Sequence, residues 1–164
     1  MANTLAVAKE LYDLYYKKHN SNMDQMKMHK MMYLSQRESL MIYNRPLFDD
    51  EFQAWKYGPV LTVVRTEYMD DNPFSSEYGE LCECEEKLVS SVFERYDHYS
   101  AWELSTLSHA EYSWKQAREG LKANEQGHRK LSLSAIKVDA TREFLRRQGV
   151  VLALSLIHIS EPTR

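Results

Sequence analysis

The sequence predicts an all-α fold, a compact single-domain bundle of about five to seven helices, and three observations carry that reading. Five glycines and four prolines in 164 residues are about half the usual share, too few to turn many short strands. Apolar residues recur at helical spacing along most of the chain. Small polar residues stand just before several of these runs, where a side-chain oxygen can accept from the first free helical amides. One short extended segment near Phe48 is the expected exception.

The first helix spans Leu5 to about Lys18, with Leu5, Ala8, Leu11, Tyr12 and Tyr15 on one face and Lys9, Asp13 and Lys17 on the other. Asn20, Ser21 and Asn22 break it, and Asn22 or Asp24 caps a second helix through Met28, Met31, Met32 and Ser35 to Tyr43. Asn44, Arg45 and Pro46 stop that helix, because a residue before proline is pushed out of the helical region. Leu47 to Tyr57 reads as an extended piece leading into one helical turn. Pro59 suits the first turn of a third helix, whose inner face is Val60, Val63, Val64 and Tyr68.

Asp70 to Glu80 is a loop, and Glu83 to Tyr96 a fourth helix. Two capping boxes follow, Ser100 with Glu103 and Ser108 with Glu111, which would start two further helices, the second running to about Lys122. Ser134 caps a final helix with Ile136, Ala140 and Phe144 on its inner face. The domain is expected over 1–153. Residues 154–164, LSLIHISEPTR, resemble the translation of a transposase adapter used in sequencing libraries. That segment is therefore expected to be an artefact, with the natural chain continuing past about Ala153, and His158 belongs to no site. Taken alone, Val150 to Ile159 would read as a buried strand.

Composition excludes several classes. Hydrophobic residues at 43% and aromatics at 12% rule out wholesale disorder. No apolar run reaches the length of a membrane span, mean hydropathy is −0.59, and Met1 to Glu10 lacks a secretory leader. A net charge of −3 argues against polyanion binding as the main activity. Lys17 with Lys18, Arg146 with Arg147, and Lys27 and Lys30 among the methionines are the basic groups, and no basic recognition helix accompanies them. Cys82 and Cys84 form no disulfide framework, which fits a reducing cytoplasm.

The chemistry-bearing residues are sparse. Cys82 and Cys84 supply two soft ligands where a structural zinc site wants four, so no metal or other cofactor is expected. Asp49, Asp50 and Glu51 with His109 would make an acid/base site if folding brought them together, against the simpler reading of a solvated acidic loop and a histidine packed at a helix start. Met23, Met26, Met28, Met31 and Met32 cluster within ten residues. Thioethers make adaptable surfaces, and Met23 and Met26 are the members expected to be exposed. Tyr12, Tyr15 and Tyr16 are too many for one buried stripe. Tyr16, Met23 and Met26 are thus the candidate partner-contact residues.

Three blocks carry a resemblance. KMHKMMYLSQ, from Lys27 to Gln36, resembles the KLQKLLYYAQ element of the Panacea (SocA-like, GepA-like) antitoxin domain. Arg45 to Val60, RPLFDDEFQAWKYGPV, is similar to that family's LF-E-F-AW-YGPV signature. SAWELSTLSHAE, from Ser100 to Glu111 and followed by Trp114, resembles its SA-ELS-LTH block. The closing helix, Ala135 to Leu145, matches loosely, so the likeness runs from about Ala6 to Leu145. Ser108 stands for the usual threonine, Tyr112 and Ser113 for Gly-Pro, and methionines for leucines.

The motif positions carried over are Lys30, Tyr33, Phe48, Trp55, Tyr57, Gly58, Pro59, Val60, Leu104, His109 and Trp114. The resemblance implies an antitoxin, often phage-associated, that neutralises a cognate toxin encoded by the adjacent gene through direct contact. Some family members instead hand a partner to the unfoldase of an ATP-dependent protease. On this reading Trp55, Tyr57, Gly58 and Pro59 form a bend with the tryptophan buried beneath it, met by Lys30, Tyr33, His109 and Trp114. The rival from another class is a small metal or acid/base enzyme using Asp49, Glu51 and His109.

Overall fold

A helix whose middle stretch is buried on every side organises the chain. The computed structural model describes the backbone of residues 1–160 and the side chains of residues 1–149. Among them are seven helices and one hairpin: α1 Thr4–His19, α2 Gln25–Tyr43, β1 Gln53–Trp55, β2 Gly58–Val60, α3 Thr62–Glu67, α4 Glu83–Tyr96, α5 Ala101–His109, α6 Tyr112–Ala117 and α7 Leu133–Ser160. The mostly helical class expected from the sequence is observed. Helix α2 packs against α1, α4, α5, α7 and β2. Every residue from Lys27 to Leu40 is buried, so that stretch has no solvent face.

Such a helix is ordinarily apolar all round. Here polar residues alternate with the methionines, and each reaches a different neighbour. Gln36 donates to the Phe48 carbonyl at 3.0 Å and accepts from the Leu47 amide at 2.7 Å. Arg37 donates to Glu111 at 2.7 Å and to the Tyr96 hydroxyl at 2.9 Å. Glu38 takes two hydrogen bonds from Arg147 of α7 at 3.0 and 3.1 Å. Lys27, Lys18 and His19 surround the buried Asp97 carboxylate at the end of α4, at 3.5, 2.8 and 2.8 Å. Burial pulls that carboxyl upward, but the three cationic partners outweigh it and hold it below its ordinary range. Such pairs set register more than they add stability, because desolvation offsets most of the attraction.

Local caps place the long helices. Asn3 accepts from the amides of Leu5 and Ala6, and Asp24 from that of Lys27. Asn20 and Asn44, both with left-handed backbone (φ 54° and 55°), end α1 and α2, so the stop before Pro46 acts two residues earlier than proline itself. The Ser100 and Glu103 capping box starts α5 as expected, and Cys82 forms another at the head of α4.

Four expectations are corrected. The extended piece lies at Gln53–Val60 rather than at Phe48, and it is a hairpin with Pro59 inside β2; α3 starts at Thr62. The outer edge of β1 is held by a distant segment, with the Ala54 and Leu131 amides donating to the Arg129 and Phe52 carbonyls. No helix starts at Ser108: α5 runs on through it to His109, and the Ser108 hydroxyl donates to the Ser105 carbonyl. Helix α6 begins at Tyr112 and ends at Ala117 rather than near Lys122. At the head of α7, Ser132 rather than Ser134 accepts from the Ala135 amide, and Phe144 is 48% exposed while Ile136 and Ala140 are buried.

Residues 150–160 continue α7 as helix, not strand. The side chains of the adapter-like segment, and 161–164 altogether, lie outside the described residues.

Candidate functional site

The hairpin turn is fastened to α2 and α5 through one carbonyl. Tyr57 oxygen accepts from the Lys30 ammonium and, at 3.1 Å, from the Ser105 hydroxyl. Gly58 follows with φ +127°, a conformation that side-chain-bearing residues rarely adopt. A Cβ there would fall on the Lys30 ammonium and lie 3.0 Å from the Ser108 hydroxyl, so the glycine is needed both for its backbone angle and for space. Lys30 is almost fully buried, and burial lowers its pKa to about 8.

Helix α6 closes the other side. The Trp114 indole donates to the Trp55 carbonyl at 2.8 Å, and the His109 ring stacks on Trp114 with centroids 4.2 Å apart and planes 8° from parallel. His109 is the last residue of α5, not the first of a helix. Its pKa is lowered by burial, then by Lys30, so it is a neutral packing ring.

Trp55 is half-buried rather than covered: the Arg65 guanidinium lies over its ring at 5.2 Å and His128 meets it edge-on at 5.8 Å. Tyr57 is 55% exposed, with the Lys56 ammonium 5.2 Å from its ring centroid. Trp55, Lys56, Tyr57 and Val60 line one side of a groove of about 520 Å³, and Gln25, Met26, His29 and Lys30 of α2 line the other. His29 is held neutral. Its Nδ1 accepts from the Leu61 amide at 3.3 Å while Nε2 meets Gln25 at 3.2 Å. Burial, Lys30 and Arg65 lower its pKa to about 3.

Tyr33 does not join this corner. Its hydroxyl donates to Asp139 of α7 at 2.7 Å and lies within 3.1 Å of Ser113 and 3.0 Å of Glu111, while its ring packs edge-on against Phe52. Asp139 also accepts from the Tyr112 and Ser113 amides at 2.7 and 3.0 Å, so a carboxylate from α7 caps α6. Burial pushes Glu111 up to about 6 against the pull of Arg37, with Asp139 adding to the rise.

The remaining predicted positions divide cleanly. Phe48 and Leu104 are buried in the core, Gly58 and Pro59 are buried in the hairpin, and Val60 lines the groove. Tyr16 is 51% and Met26 39% exposed, but Met23 is 1% exposed, contrary to expectation, because the turn between α1 and α2 folds it inward. Lys27 and Lys30 are both buried, so they contribute no basic surface patch.

Asp49 and Glu51 line a separate small groove with Phe52 and Leu131, Glu51 pairs with Lys130 at 3.4 Å, and His109 is not part of that groove. No group of three or more potential metal ligands occurs among the described residues, and no helix among them is long and apolar enough to cross a membrane. Cys82 and Cys84 are free, with sulfurs 3.6 Å apart at the head of α4. Sequence reasoning missed Lys56, Arg65 and His29. Lys56 sits inside the motif between Trp55 and Tyr57 and was legible there, whereas Arg65 reaches the Trp55 ring only through the path of α3.

Everything joined at the Tyr57 carbonyl and the Trp55 carbonyl lies within residues 28–115, and the family model described as Antitoxin SocA-like, Panacea domain matches that same stretch, more than half of the chain. The chain belongs to the SocA-like Panacea antitoxin family. No curated protein and no solved structure matches it. In this Panacea domain the matched stretch stops before Asp139, so the cap on α6 and the anchor of Tyr33 come from outside it.

Proposed function

We propose that the chain is a non-enzymatic antitoxin that neutralises a cognate toxin protein by direct contact in the cytoplasm. The observation that carries the reading is membership of the SocA-like Panacea family. Two features of the surface support it. The acidic loop and His109 occupy different environments, which leaves the acid/base alternative without an assembled site. The hairpin groove presents Met26 and Tyr57, residue types that protein interfaces favour, on a rigid base.

The partner is expected to be the product of the adjacent gene. Inducing that gene alone should arrest growth, and co-expression of this chain should restore it and yield a complex that survives gel filtration. A chain that fails to rescue growth from either neighbouring gene product would overturn the reading. The same experiment separates blocking from delivery to a protease: a blocked toxin accumulates in the complex, whereas a delivered one decays faster when this chain is present.

A further inference from the structure

The groove between α2 and the hairpin carries no carboxylate in its lining, although the chain has more acidic than basic residues. Its apolar surface comes from Met26, Trp55, Tyr57 and Val60. The charged groups in its lining, Lys30 and Lys56, are both cationic, and Arg65, outside the lining, lies over the Trp55 ring. His29, the remaining titratable group in the wall, is neutral. Lys30 donates a hydrogen bond to the Tyr57 carbonyl and, among the described residues, has no anionic partner in its hydrogen bonds or ion pairs.

We propose that this groove seats an extended segment of the partner protein in which an apolar or aromatic side chain stands next to a carboxylate. The inference rests on the antitoxin reading and gives it a contact face and a recognition chemistry. The apolar side chain fills the space between Met26 and Tyr57, where the flexible thioether adjusts to its shape. The adjacent carboxylate meets Lys56, which steers encounter with an acidic partner, and lies near the Lys30 charge, which has no carboxylate partner among the described residues.

Nucleic acid fits less well, because a strand brings a run of phosphates and the chain, with a net charge of −3, offers only two cations in the lining.

The test uses the full chain and acetylated, amidated 15-residue peptides tiling the product of the adjacent gene, with binding read by fluorescence anisotropy. Met26→Glu, Lys56→Glu and Tyr57→Ala alter groove side chains that reach solvent. Met26→Glu adds an acid to the first turn of α2, where the helix dipole favours it, so folding should persist. Met69→Ala, at an exposed side chain outside the groove lining, is the control.

Bound peptides should carry a Leu, Ile, Phe, Tyr or Trp beside an Asp or Glu. Replacing that acid by Lys, or the groove residue by Met26→Glu or Tyr57→Ala, should weaken binding about tenfold or more. Met69→Ala should leave it unchanged. Equal binding by wild type and groove variants would overturn the inference, as would selection of basic peptides or competition by a mixed-sequence 15-mer oligonucleotide. In cells, growth rescue undiminished in the Met26→Glu, Tyr57→Ala double variant sinks this inference and leaves the antitoxin reading standing. No rescue by the wild type sinks both.

Discussion

The Lys30 ammonium fills the space that a side chain on Gly58 would occupy. One buried cation and one missing Cβ thus hold the central helix and the hairpin in register, with the Tyr57 carbonyl between them. Gly58→Ala should cost roughly 1–3 kcal/mol in denaturant unfolding, from backbone strain at positive φ plus displacement of Lys30. Lys30→Ala in the Gly58→Ala background should recover the steric part but not the strain, so the double-mutant cycle should show a favourable coupling. Additive costs would mean that the two residues do not share that space.

The true cap of α6 makes a second prediction. Asp139→Ala leaves the Tyr112 and Ser113 amides without their acceptor and the Tyr33 hydroxyl with Glu111 and Ser113 alone, and two stranded donors should cost about 2 kcal/mol or more together. Ser108→Ala should cost under about 1 kcal/mol, because that hydroxyl only doubles a helical carbonyl. The reverse order in chemical unfolding would restore Ser108 as the helix start.

His29 makes stability depend on pH. Its folded pKa of about 3 lies below the ordinary 6.5, so the unfolded chain binds the extra proton. The contribution is therefore complete above pH 6.5 and is lost as pH falls toward 3, at about 1.4 kcal/mol per pH unit. Glu111, raised to about 6, works in the opposite sense between pH 6 and 4.5, so the comparison must be with His29→Asn, which keeps an acceptor for the Leu61 amide. The difference in unfolding free energy between wild type and variant should shrink steadily from pH 6.5 to 4.5. A constant difference would show that His29 titrates normally.

Partner binding should itself take up protons. Lys30 has a pKa of about 8 in the free chain, and a carboxylate brought near it favours the ammonium. Affinity should consequently fall as pH rises above 8, and calorimetric binding enthalpies at pH 8.5 should differ between buffers of different ionisation enthalpy. Buffer-independent enthalpies would place the carboxylate beyond the reach of Lys30.

Wherever a helix end is set by a side chain two or three residues away, the sequence already contains both partners. Asp24, and Ser100 with Glu103, could be located without coordinates and supported the helical class, whereas the Asn3 cap of α1 came from the structure. Ser108 and Glu111 have the same spacing, yet there the rule misled. Glu111 is drawn away by Arg37 and lies beside Tyr33, and Asp139, 27 residues beyond Tyr112, supplies the cap. The hairpin escaped notice because its strands are three residues long and its outer edge pairs with residues 129–131.

Sequence alone determined the helical class and the motif positions, because caps and apolar spacing act within one or two turns of chain. It also brought the family into view. Tertiary structure decided that a stretch of helix from Lys27 to Leu40, with lysine, arginine and glutamate in it, is buried throughout, that Met23 turns inward while Met26 stays out, that Lys56 lines the groove, and that Arg65 covers the Trp55 ring. Each of those outcomes depends on partners that meet across long stretches of chain, where pairing is settled by packing and desolvation rather than by local spacing.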